Sequence, residues 1–206
     1  MSGVRTRIHH AAMRILADKG GSAISVSELA AEAGIARGTI YNNIEDPGAL
    51  FDAVCQMVAD ELHDSVLASF SGVDDPAHRF SNIIRLCVRR VHEEPKWGRF
   101  IARFAMAEPR IGAFWGTLPA DELRRGLIMN RFVFEREQVS SITASAGGAT
   151  FGAMTLVLGG HRTWRQAGSD TAEFMLRAIG VQRHEARELA SREIDALPEI
   201  SMFVAA

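Results

Sequence analysis

Apolar positions recur along almost the whole chain with a helical period. Ile8, Ala12, Ile15 and Leu16 make one stripe across residues 5–19, and Gly20-Gly21 is placed to end that helix. Val26, Leu29, Ala30 and Ala33 recur at i, i+3, i+4 and i+7, which puts them on one face of a short helix. Ser25 or Ser27 can cap it, because a hydroxyl accepts a hydrogen bond from an amide the helix leaves unpaired. Gly34 lies just past the last apolar position, where a residue without a Cβ turns the chain through the left-handed region at no steric cost. A second short helix follows to Asn43. Ile40 and Ile44 face inward, and Arg37, Thr39, Tyr41, Asn42 and Asn43 face outward.

The same period continues to the C-terminus. Asp46-Pro47 is a helix start, and Leu50, Val54, Val58, Leu62 and Val66 predict a long helix ending near Phe70-Ser71-Gly72. Asp75-Pro76 starts another, with Phe80, Ile83, Ile84, Cys87, Val88 and Val91 inward, stopped by Glu94-Pro95. Residues 95–107 predict a helix with Trp97, Phe100, Ile101 and Phe104 inward, followed by a short segment with Ile111, Phe114 and Trp115. Pro119 opens a helix to residue 130, and residues 131–136 read as a connection. Further helices are predicted over 138–166, 171–179 and 184–194, with Gly168-Ser169-Asp170 as a turn. No stretch alternates polar and β-branched residues, so the chain reads as all-α.

Composition changes little in this picture. Hydrophobic residues are 47% and charged ones 23% of 206, ordinary for a globular chain. The net charge of −2 excludes a protein held to nucleic acid by bulk charge. Within residues 1–46, Arg5, Arg7, Arg14, Lys19 and Arg37 stand against Asp18, Glu28, Glu32, Glu45 and Asp46. Cys55 and Cys87 lie on apolar helix sides and read as core thiols in a reducing compartment. No secretory run opens the chain, and the apolar residues 147–160 are too few to span a bilayer and are broken by glycines. The expectation is a cytoplasmic protein without a membrane partner. There is no phosphate loop, no nucleophile elbow and no His or Cys spacing that suits a metal, so no catalytic residue, cofactor or metal ligand is assigned.

Candidate chemistry concentrates in residues 25–44. Helix, glycine turn and a polar-faced second helix make the layout of a helix-turn-helix, whose second helix enters the major groove. The outward side chains donate hydrogen bonds to phosphates or base edges. The stretch SVSELAAEAGIARGTIYNNI, followed by ALFDAV, closely resembles the N-terminal DNA-binding domain of the tetracycline-repressor (TetR/AcrR) family. Gly20, Ser25, Val26, Leu29, Ala30, Ala33, Gly34, Ile35, Arg37, Gly38, Thr39, Ile40, Tyr41, Leu50 and Phe51 carry the match. Two positions depart from the family pattern: Ile44 replaces an aromatic, and Pro47 replaces the lysine that usually touches a phosphate. The resemblance implies a three-helix reading domain over residues 1–46, and a helical domain over 47–206 that dimerises and binds an effector. The expected DNA contacts are Arg5, Ser25, Ser27, Arg37, Gly38, Thr39, Tyr41, Asn42 and Asn43, with Arg7 alongside Arg5 near the backbone or minor groove.

For the effector, the expectation is a pocket among Cys87, Trp97, Phe100, Phe104, Phe114 and Trp115, with Met106 nearby, taking a small and mainly apolar compound. Lys96, Arg99 and Arg103 share one helix face, either in solvent or, if one turns inward, facing an anionic effector. The helix over 138–166 is apolar nearly all round and rich in small residues. That predicts a two-fold dimer interface through Gly148, Phe151, Gly152, Thr155 and Gly159. Function then reads as a regulator, a repressor released from a palindromic DNA operator by the effector. The alternative is a dimeric ligand-binding protein whose reading head is weakened by Pro47, Glu45 and Asp46. An α-helical enzyme is the rival class, and no paired base, nucleophile or metal set supports it.

Overall fold

The structure, a computed structural model, describes residues 3–19, 24–44, 46–105 and 107–195. Gly20, Gly21, Glu45 and Met106, all used in the sequence reading, lie outside them. The described residues form helices and no strand: α1 (Gly3–Lys19), α2 (Val26–Ala33), α3 (Arg37–Asn43), α4 (Leu50–Ala68), α5 (Pro76–Glu93), α6 (Pro95–Phe104), α7 (Pro109–Gly112), α8 (Leu118–Ile128), α9 (Val139–Leu158), α10 (Trp164–Ala178) and α11 (Arg183–Ser191).

Helices α1–α3 pack as a head around Ile8, Leu16, Leu29 and Ile40, each no more than 2% exposed. Full burial of such side chains contributes about 1.5–3 kcal/mol apiece. α4 leaves the head and packs on α1 through Val54 and Val58, which are wholly buried. α5 runs through the middle of the larger body, touched by α6, α8, α9, α10 and α11. That position explains why Phe80, Ile83, Ile84 and Val88 are all fully buried. Proline at the first position of α5 and α6 supplies a preset φ where no amide bond is needed. The aspartate before α5, Asp75, accepts from the Ala77 amide and pairs with Arg131, which also binds Glu185 at 2.5 Å. Residues 131–136, read as a plain connection, thus tie the start of α5 to α11.

The C-terminal half departs from the predicted segmentation. The helix expected over 138–166 ends at Leu158, and Gly160 turns the chain at φ +69°. A capping box of Thr163 and Gln166 then starts α10 at Trp164. Gly168, Ser169 and Asp170, expected as a turn, lie inside α10. Gly168 lies where that helix packs on α5, and a methyl group there would stand 3.4 Å from the Arg85 Cα, in ordinary contact. The period alone could not place the break, since Gly159-Gly160 continues the small-residue pattern before it. The helical run 136–158 also exceeds the expected apolar stretch. At 23 residues, with an 18-residue stretch of mean hydropathy 1.3, it is long and apolar enough to cross a membrane by length and composition, and only 28% of that stretch is buried in the single chain.

Two predictions follow from the head. Gly34 has φ +63°, and a methyl group on it would meet Arg7 at an ordinary 3.6 Å, so the cost of Gly34→Ala is conformational. It is expected to lower stability by about 1–2 kcal/mol, read by urea unfolding. At the α1–α4 seam, His10 Nε2–H donates to Glu61 at 2.7 Å, while the Nδ1 of the buried His9 has no partner among the described residues. Burial, then the charges of Arg5 and His10, lower the His9 pKa below 6.5 against the pull of Glu61. The unfolded chain therefore binds this proton first as pH falls. Stability from His9 is complete above about pH 6.5 and is lost progressively below it. His9→Gln is expected to flatten the fall in unfolding free energy between about pH 7 and pH 5.

Candidate DNA-reading surface and effector cavity

The reading head is held by local hydrogen bonds that leave one surface unoccupied. The Ser25 hydroxyl accepts from the Glu28 amide at 3.3 Å, and the Glu28 carboxylate accepts from the Ser25 amide at 3.2 Å. Lys19 also binds Glu28; with the Ser25 bonds, it holds this exposed carboxyl down to about 2. Arg14 pairs with Glu32 at 2.5 Å. Arg7, expected near the DNA backbone, instead donates to the Ala33 carbonyl at 2.8 Å and closes the end of α2. A helix end leaves carbonyls unpaired, and an arginine one turn into α1 is in reach of them. The acids of α2 are thus neutralised from α1.

The open surface belongs mainly to α3. Arg37, Gly38, Tyr41 and Asn42 are exposed, Tyr41 by 67%, and Thr39 and Asn43 are half-buried. The Asn43 amide donates to the Thr39 carbonyl at 2.9 Å, so part of its bonding capacity is used within the helix. Ser25 is likewise engaged in its capping box, while Ser27 is exposed. Arg37 makes no ion pair among the described residues and stands at the first position of α3, where the helix dipole opposes a positive charge. Its charge does not serve the helix. Arg5 is exposed in the first turn of α1 and lines a shallow cleft with His9, Asn43 and Asp46. The Asp46 carboxylate accepts from the Gly48 amide at 2.7 Å, which shapes the turn into α4.

A cavity of about 270 Å³ lies in the body between α4, α5, α6, the α7 turn and α9. Of the residues named from the sequence, Cys87, Trp97, Phe114 and Trp115 lie on its wall, together with Ile101, Ile111 and Met154. Phe100 and Phe104, expected beside them, do not. Trp97, Ile101 and Ala105 follow one another at i, i+4 and i+8 and share the cavity face of α6. Phe100 and Phe104 fall on the next face, where Phe104 stacks edge-on against Phe51 of α4 at 5.1 Å and lies 5.0 Å from Phe100.

Polar groups on the wall are few. Thr143 and Thr150, which the sequence reading passed over, donate to the Ser140 and Ala146 carbonyls at 2.9 and 2.8 Å and keep lone pairs for accepting. Burial pushes the Cys87 thiol up to about 12, so it stays protonated. Trp97 is 1% exposed, and its Nε1–H has no partner among the described residues. The buried Arg90 guanidinium stacks over its ring at 4.8 Å, next to Glu94 at 3.4 Å.

The three cations of α6 gather at the end of α1, with Lys96 and Arg99 still nearly half exposed. Arg103 donates to the Leu16 and Ala17 carbonyls at 3.2 and 3.1 Å, and Lys96 and Arg99 pair with Asp18 at 3.2 and 3.5 Å. One face of α6 therefore lines the cavity while another clasps the end of α1. On the outer side of the body, Gly148, Gly152 and Thr155 of α9 are exposed and Phe151 is half-buried at the cavity. Gly159 is also exposed but falls past the end of α9. Phe174 of α10 is 61% exposed. The sequence held its signal: it is out of phase with the inward stripe Ala172, Leu176 and Ile179. Among the described residues, no group of three or more His, Cys, Asp or Glu is placed to hold a metal ion.

Comparison with known proteins agrees with this layout. Residues 8–54 match the family described as bacterial regulatory proteins, tetR family, and residues 75–192 match the tetracyclin repressor-like C-terminal domain. No curated protein matches the sequence. Among solved structures, RolR in complex with resorcinol is 28% identical over 94% of this chain and 96% of its own, with a TM-score of 0.71. A putative tetR family transcription regulator from Shewanella sp. PV-4 is 17% identical over 87% of this chain and 99% of its own, at 0.72. The fatty acid degradation regulator FadR from Bacillus halodurans is 14% identical over 88% and 99%, at 0.73. The last two are likenesses of fold. With family matches over both the head and most of the body, this chain belongs to the TetR family of DNA-binding transcriptional regulators.

Proposed function

We propose that this protein is a cytoplasmic repressor released from a palindromic operator by a small, mainly apolar effector. Reading is assigned to residues 1–46, and sensing and dimerisation to residues 47–206. Arg37, Gly38, Thr39, Tyr41, Asn42 and Asn43 meet the major groove, with Arg5, Ser25 and Ser27 at the flanking backbone. Two heads on one duplex face call for half-sites about 34–36 Å apart or a multiple of that. The outer face of α9, with α10, joins two copies. A second copy of this chain, rather than lipid, covers the apolar helix that the single chain leaves largely unburied.

One observation carries the mechanism. α6 is at once a wall of the cavity, through Trp97 and Ile101, and the clasp on α1, through Arg103. A compound that fits one setting of α6 better than another shifts the head by that differential affinity and by no more. The cavity of about 270 Å³ suits a single-ring compound, and RolR, similar over the whole length, was solved with resorcinol. A small aromatic that carries both an acceptor, for the Trp97 N–H, and a hydrogen-bond donor, for the lone pairs of the two threonines, is the reading these groups favour.

Selection of bound fragments from a random DNA pool tests the DNA reading directly; enrichment of no sequence at low salt rejects it. Against the selected operator, Tyr41→Ala is expected to cost about 1–3 kcal/mol of binding, read by fluorescence anisotropy. Arg103→Met keeps the aliphatic stem and removes the clasp. It is expected to leave operator binding largely in place while weakening release by effector, a separation that anisotropy titrations with and without resorcinol-type phenols will show.

A further inference from the structure

Two features of the α9–α10 hairpin are complementary. One is a trough: Ala144, Gly148 and Gly152 lie at i, i+4 and i+8 along the outer face of α9, all exposed, and a methyl group on either glycine would meet no atom within 4 Å. The other is a projecting ring, Phe174 of α10, 61% exposed. They lie equally far along their helices from the turn that joins α9 and α10. The two helices pack on each other across the turn at 159–163, with Gly148 ten residues before the end of α9 and Phe174 ten residues after the start of α10. Each is therefore about 15 Å from the turn.

We propose that in the dimer Phe174 of the partner subunit seats in this trough and forms a wall of the effector cavity. A two-fold axis makes such a contact reciprocal, so that each ring fills the other subunit's trough. The link to the cavity is direct: Ala144 and Gly148 line it and are at the same time exposed on the outer face. Only small residues separate the cavity from the surface there, and whatever covers the trough covers its mouth. Gly147 serves the same geometry from inside, because a methyl group on it would press 3.1 Å from the Trp115 ring. The inference rests on the dimeric reading above and sharpens its ligand class. A flat aromatic ring would lie between Trp115 of one subunit and Phe174 of the other, so binding would report on how the two subunits sit together.

The test uses full-length dimers that carry G148C in one chain and F174C in the other. The native Cys55 and Cys87 are buried, which keeps the background low. Mild oxidation is expected to give a covalent dimer that the unmodified protein does not form, since a disulfide needs Cα atoms within about 7 Å. A monomer in sedimentation rejects the dimeric reading itself. A dimer without the cross-link keeps that reading and overturns this pairing. In a W164F background, acrylamide quenching then reads Trp97 and Trp115 without any ligand. F174A is expected to raise quenching severalfold while F174L stays near the parent protein. Unchanged quenching in an intact F174A dimer overturns the closing role, and if F174A fails to dimerise, the cross-link decides.

Discussion

The unpaired carbonyls at the end of α1 are the point on which the two halves of this molecule meet. A helix terminus leaves acceptors that must find donors. Here Arg103 supplies them from α6, reaching Leu16 and Ala17, while Lys96 and Arg99 neutralise Asp18 beside it. The Phe104–Phe51 contact adds an apolar seal between α6 and α4. Of these, the charge-assisted bonds to buried-side carbonyls outweigh the Asp18 pairs. Both partners of those pairs are nearly half exposed, and surface ion pairs contribute little. The setting of the head relative to the body thus depends on this helix of ten residues together with the α1–α4 seam.

That helix is also where ligand and DNA chemistry are kept apart. Its cavity face is aromatic and apolar, its clasp face cationic, and the two are separated by the rotation of the helix and not by distance along the chain. A body that buries Trp97, Phe100 and Ile101 on the same ten residues is stiff, because packed interiors transmit displacement and do not absorb it. The head has the opposite economy. Glu28 and Glu32 are paired within the head by Lys19 and Arg14, and Arg7 is engaged at the end of α2, so the small net charge does not disqualify the head as a DNA reader. What matters is the charge left on the outward surface, where Arg37 stands against its own helix dipole.

The sequence by itself determined the local structure. The caps of α2, the left-handed Gly34, the proline starts of α5 and α6 and the apolar stripes of α1–α5 all depend on residues within one or two turns, and the chain states them openly. The same holds for the outward polar residues of α3. Only the tertiary structure decided which side of α6 faced the cavity. Trp97, Phe100, Ile101 and Phe104 are all inward by period, and a helix packed between two neighbours has two inward sides that periodicity cannot tell apart. It also decided the fate of Arg7, Lys96, Arg99 and Arg103, whose partners are carbonyls and a carboxylate from distant segments. The break after Leu158 belongs here too, because glycines that allow close packing and glycines that end a helix look alike until the neighbouring helix is in place.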